Sequence, residues 1–114
     1  MAMTKYLFLY RTPESPAEHQ PSPEDLQAMF AQWDAWKKKF KANVVDVGDG
    51  LKPGGRVWKS GTVTDGTFVE TKEVMGGYSI VQAASYDEAT GVARECPITY
   101  IPGATIEIRE MAGF

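Results

Sequence analysis

The sequence predicts an α+β domain: an antiparallel sheet with two helices on one face, which a second copy completes into a dimeric α/β barrel. Three observations lead there. Stretches alternating with period two stand near both ends of the chain and at Tyr78 to Ala84. Two capped helix starts, at Ser22 and Ser85, lie between them. The first strand and the Tyr78 strand carry apolar or aromatic residues on both sides, although two helices can cover only one.

The first strand is Lys5 to Arg11, with Tyr6, Phe8 and Tyr10 on one face and Leu7 and Leu9 on the other. Thr12 to Ser22 contains three of the seven prolines and reads as a surface loop. A helix is expected from Pro23 to Lys41. Ser22 caps it, Pro23 suits its first position and Asp25 supplies the box acid. Leu26, Met29, Phe30, Trp33, Trp36 and Phe40 follow helical spacing and predict one apolar stripe. Lys37, Lys38, Lys39 and Lys41 crowd its last turn, where positive charge favours the helix dipole.

Val44 to Val47 reads as a short strand, and the glycine-rich run Gly48 to Gly61 as a second flexible region. Ser60-Gly61 and Asp65-Gly66 are two-residue hairpin signals flanking Thr62-Val63-Thr64. Tyr78 to Ala84 is the strongest strand of the second half. Ser85 and Glu88 open a helix to about Glu95, which Pro97 stops and Gly91 weakens. Thr105 to Arg109 is the last strand. The order β, α, β, hairpin-rich insertion, β, α, β suggests a ferredoxin-like split β-α-β arrangement. An uncovered second face would leave a larger apolar patch than soluble monomers carry, so a homodimer is expected.

The chain has 114 residues and fits one domain, 1–114, with 43% apolar and 24% charged residues. A net charge of −3 without a basic stripe argues against nucleic-acid or anionic-membrane partners. No apolar run approaches the roughly 20 residues of a membrane span. The opening Met-Ala-Met-Thr-Lys-Tyr does not read as a secretory leader, which gives a cytoplasmic expectation. One cysteine and one histidine exclude an internal disulfide framework and argue against an intrachain zinc site. No metal or cofactor motif stands out: Gly48, Gly50, Gly54 and Gly55 do not form a nucleotide fingerprint with a following helix.

The run Asp65-Gly66-Thr67-Phe68-Val69-Glu70-Thr71-Lys72-Glu73, continuing through Val74-Met75 to Gly76-Gly77-Tyr78, resembles the DGPF signature of the YCII-related domain family. KYLFLY, Ser22-Pro23-Glu24-Asp25, Asp87-Glu88-Ala89, Cys96-Pro97 and Ile106-Glu107-Ile108-Arg109 fall in the order that resemblance expects. It implies a dimeric α/β barrel in a largely uncharacterised family. A few YciI-like relatives act in the degradation of chlorinated aromatics, and others are fused to transcription-initiation factors. Thr67 stands where the signature has proline. The His-Asp dyad proposed for YciI-type relatives finds no residue-by-residue match, because the one histidine, His19, lies in the proline-rich loop.

Each candidate group has two readings. Asp65 is either a general base on a tight turn or a carboxylate that closes the turn. Glu70 and Lys72 either hold an anionic substrate or form a solvated loop. His19 either titrates near neutrality as an acid–base group or sits on an exposed loop. Cys96 reads as a buried packing thiol, with no base near it in sequence. Trp58, Phe68 and Tyr78 can line an apolar pocket at the barrel mouth, with Arg11 as the cation for a carboxylate or phenolate. The leading expectation is therefore a domain binding a small aromatic or anionic ligand at that mouth. The alternatives are a lyase- or dehydrochlorinase-like enzyme on a ring compound with Asp65 as base, and a non-catalytic dimerisation or accessory module.

Overall fold

The computed structural model describes residues 3–13, 22–52, 54–65 and 73–113. Six strands and two helices follow in order: β1 (Thr4–Pro13), α1 (Pro23–Lys39), β2 (Val44–Asp46), β3 (Arg56–Lys59), β4 (Thr62–Asp65), β5 (Glu73–Ala83), α2 (Tyr86–Arg94) and β6 (Thr105–Glu110), with a 3-10 turn at Pro97–Tyr100 before the last strand. The main sheet is antiparallel in the order β2-β5-β1-β6, and β3 and β4 form a separate two-stranded ribbon. Placing β5 and β1 at the centre with the other two strands outside is the strand order of a split β-α-β unit. The sheet of one chain is open and does not close into a barrel.

Alternation decides which side is covered. Tyr6, Phe8 and Tyr10 of β1 and Ser79, Val81 and Ala83 of β5 are buried against the helices. Ala89 and Ala93 of α2 let that helix approach closely, and Cys96 and Ile98 fill the space after it. Trp36 ties the helices together, its indole Nε1 donating to the Val92 carbonyl at 3.0 Å. Tyr10 Oη donates to Ser79 Oγ at 2.7 Å, and Ser79 Oγ donates to the Val47 carbonyl at 2.6 Å. This chain of hydroxyls satisfies the polar groups that the core encloses.

Local signals set the helix starts. Ser22 Oγ accepts from the Asp25 amide at 3.1 Å while Asp25 Oδ2 accepts from the Ser22 amide, the reciprocal box expected there. Ser85 likewise accepts from the Glu88 amide, whereas the Glu88 carboxylate accepts from the Ala84 amide and the Asn43 side chain.

Two expectations need correction. The α1 stripe is not wholly core: Trp36 is buried and Trp33 and Phe40 pack partly, but Phe30 is 67% exposed and Leu26 is also exposed. The N-terminal half of the helix extends past the sheet's buried face. The Gly48–Gly61 run is not simply flexible, because it contains β3, paired with β4 through the Lys59-Ser60-Gly61-Thr62 turn. Ser60 at φ 50° and Gly61 at φ 83° have the positive dihedrals that the favoured two-residue hairpin requires. The second hairpin signal, Asp65-Gly66, has its glycine outside the described residues.

Candidate functional site

The helix-free face of the sheet comes from the other half of the alternation. Lys5, Leu7, Leu9 and Arg11 project from β1, Tyr78, Ile80 and Gln82 from β5, and Glu107 and Arg109 from β6. Register places Leu7 between Ile80 and Arg109, and Leu9 between Tyr78 and Glu107. Leu7, Leu9, Tyr78 and Ile80 are half-buried, and among the described residues no helix or second sheet covers them. At one end this surface sinks into an open concavity of about 1020 Å³ whose walls include Met3, Lys5, Leu7, Leu9, Arg109 and Met111. Its lining joins apolar Met3, Leu7, Leu9 and Met111 to the charged residues Lys5, Arg109 and Glu110.

Charge on the face is graded along the strands. Arg11 Nη1 lies 2.7 Å from Glu107 Oε1, and Arg109 Nη1 lies 3.2 Å from Glu107 Oε2. Hydrogen bonds from Arg109 and Arg11 hold the Glu107 carboxyl below the usual carboxylate range. Arg11 is therefore committed to Glu107 rather than open to a ligand. Lys5 makes no ion pair among the described residues, and Arg109 is 68% exposed along its side chain despite its contact with Glu107. The cationic end is the end with the concavity.

Four of the expected site residues are among those described: two on the sheet and two on the ribbon. Tyr78 and Arg11 share the helix-free face near its far end. Trp58 is 70% exposed on the β3–β4 ribbon. Asp65 ends that ribbon with its side chain 92% exposed, its Oδ1 3.4 Å from Arg56 Nε of the paired strand. The enzyme alternative needs Asp65 facing a cavity beside a cation; here it has the cation and a solvated setting. His19, Phe68, Glu70 and Lys72 lie outside the described residues. Cys96 is buried, as its packing role requires, and its thiol donates to Tyr10 Oη at 3.5 Å. Burial pushes that thiol's pKa up, away from nucleophilic use.

The cradle residues that sequence reasoning did not single out are Met3, Lys5, Arg109 and Met111. Their signal was present in the alternation of KYLFLYR and IEIRE, which puts Lys5 with Leu7 and Arg109 with Glu107. Among the described residues there is no group of three His, Cys, Asp or Glu side chains able to hold a metal ion, and no helix long and apolar enough to cross a membrane. No curated protein matches the chain. The family model of the YCII-related domain matches residues 6–112, nearly the whole length, and the chain belongs to that family.

Proposed function

We propose that the protein acts as a homodimer, packed through the helix-free sheet faces, that binds a small organic anion with an aromatic or apolar body. The observation that carries this reading is the cradle itself, in which apolar Leu7, Leu9, Met3 and Met111 stand beside the cations Lys5 and Arg109, with Glu110 also in the lining. An apolar concavity with a few placed polar groups is the usual form of a small-molecule site. Leu and Met supply contact for a ring, and the two cations favour a carboxylate or phenolate over a neutral analogue. Packing a second sheet over the face removes water from the floor and strengthens that charge preference.

Thermal denaturation with benzoate, salicylate and phenol against neutral benzamide tests the reading. A ligand that binds only the folded state raises its stability with concentration. Benzoate or salicylate at about a hundred times its dissociation constant is expected to add roughly 2.7 kcal/mol, a rise of several degrees for a domain of this size. Lys5→Gln combined with Arg109→Gln should abolish most of that rise, each protein being compared with its own unliganded midpoint. No rise with either anion, or an equal rise with benzamide and in the double variant, would contradict the cradle.

A further inference from the structure

Among the described residues, the β3–β4 ribbon is hydrogen-bonded to no other strand. Directly paired residues share a face, so Arg56, Trp58, Val63 and Asp65 form one side of it. The ion pair lies at the open end, and Trp58 and Val63 sit opposite one another at the centre, 70% and 55% exposed. A lone two-stranded hairpin is marginal in water unless its apolar side packs on something. Among the described residues two apolar surfaces therefore stand uncovered, the ribbon side and the cradle.

We infer that in the homodimer each ribbon reaches across the two-fold axis and lays Trp58 and Val63 over the Lys5–Met111 end of the partner's sheet, so that each ligand cradle is closed by the other copy. This rests on the dimer reading above. Strand direction carries the step beyond it. β1 runs from Thr4 at the cradle end to Pro13 at the far end. The segment leading into the ribbon leaves from the far end: Gly50 bridges Gly77, the residue opposite Tyr10, and the Leu51 amide donates to the Gly76 carbonyl at 2.9 Å. Two copies stacked with their β1 strands antiparallel place each far end over the other's cradle end. Each ribbon is then rooted beside the cradle that it closes.

The chemistry of the two surfaces is complementary. An indole face attracts cations such as those of Lys5 and Arg109, and Val63 meets a floor of leucine and methionine. A two-fold axis makes the contact reciprocal, so it forms twice.

Tryptophan fluorescence read beside sedimentation mass tests the inference. Subtracting the spectrum of Trp58→Phe from that of the wild type isolates Trp58 from Trp33 and Trp36. Across a dilution series, the Trp58 signal should move to shorter wavelength and lose most of its iodide quenching as the mass doubles. Leu9→Arg, which charges the sheet face and separates the copies, should restore quenching. A doubled mass with Trp58 still fully quenched overturns the ribbon contact and leaves the dimer standing. A mass that never doubles overturns the dimer, and the ribbon contact with it.

Discussion

Tyr10, Ser79 and Cys96 form a single hydrogen-bonded line through the core, from the Cys96 thiol to Tyr10 Oη, on to Ser79 Oγ and then to the Val47 carbonyl. The line joins both central strands to the exit of β2 and to the turn after α2. Burial raises the pKa of Tyr10 and of Cys96. The sign of the pH effect follows. Below about pH 8.5 both groups are protonated whether folded or not. Above it the unfolded chain loses protons first, thiol and then phenol, so the unfolded state is favoured as pH rises. Urea unfolding at fixed protein concentration should therefore give a midpoint that falls from about pH 8.5 and more steeply beyond about pH 10. Tyr10→Phe should cost about 1–2 kcal/mol at neutral pH and flatten the fall above pH 10. A variant profile parallel to wild type through that range would contradict the assignment.

At the scale of elements, the edge of the sheet depends on a close approach that only one residue type allows. Gly48 has φ +73°, and a Cβ there would stand 1.8 Å from the Tyr78 carbonyl oxygen. Gly54 also has positive φ, +92°, but nothing lies within 4 Å of its added Cβ. Gly54→Ala should thus cost about 1 kcal/mol from dihedral strain alone. Gly48→Ala should cost clearly more, because the backbone of β5 must move as well. Equal urea midpoints for the two variants would contradict this view of the edge. Much of the element order was legible in the sequence because its signals are local. The alternation in KYLFLYR and YSIVQAA, the Ser22–Asp25 box and the Ser60-Gly61 turn each act within a few residues. What depended on distant partners was not legible. The 3.6-residue period gives α1 an apolar stripe but does not say how far the sheet extends beneath it, so the exposure of Phe30 and Leu26 is not legible in it. The strand Arg56–Lys59 is stabilised by its pairing with Thr62–Asp65, and glycines on both sides hide it. Lys5 and Arg109 come to one rim through the β1–β6 register, in which Leu7 faces Arg109 from the opposite end of the chain.

The whole molecule is a slab of 43 × 42 × 19 Å. Its radius of gyration, 15.6 Å, exceeds the roughly 13 Å of a compact chain of this length. Its described residues form one helix layer and one sheet, and none of their helices or strands covers the sheet's second side. Leu7, Leu9, Tyr78 and Ile80 make that side apolar at the centre, while Lys5, Arg11, Glu107 and Arg109 surround them with charge. That is the arrangement of an interface, an apolar middle within a polar rim. The proposed ligand cradle and the proposed ribbon contact both depend on this face being covered by a second copy. Analytical ultracentrifugation of the wild type and Leu9→Arg, with circular dichroism to confirm that both are folded, tests that dependence most directly. The expected result is a wild-type mass twice the 12.6 kDa of one chain, and a single-chain mass for folded Leu9→Arg. A folded wild type sedimenting as one chain at concentrations up to roughly tens of micromolar would contradict the account.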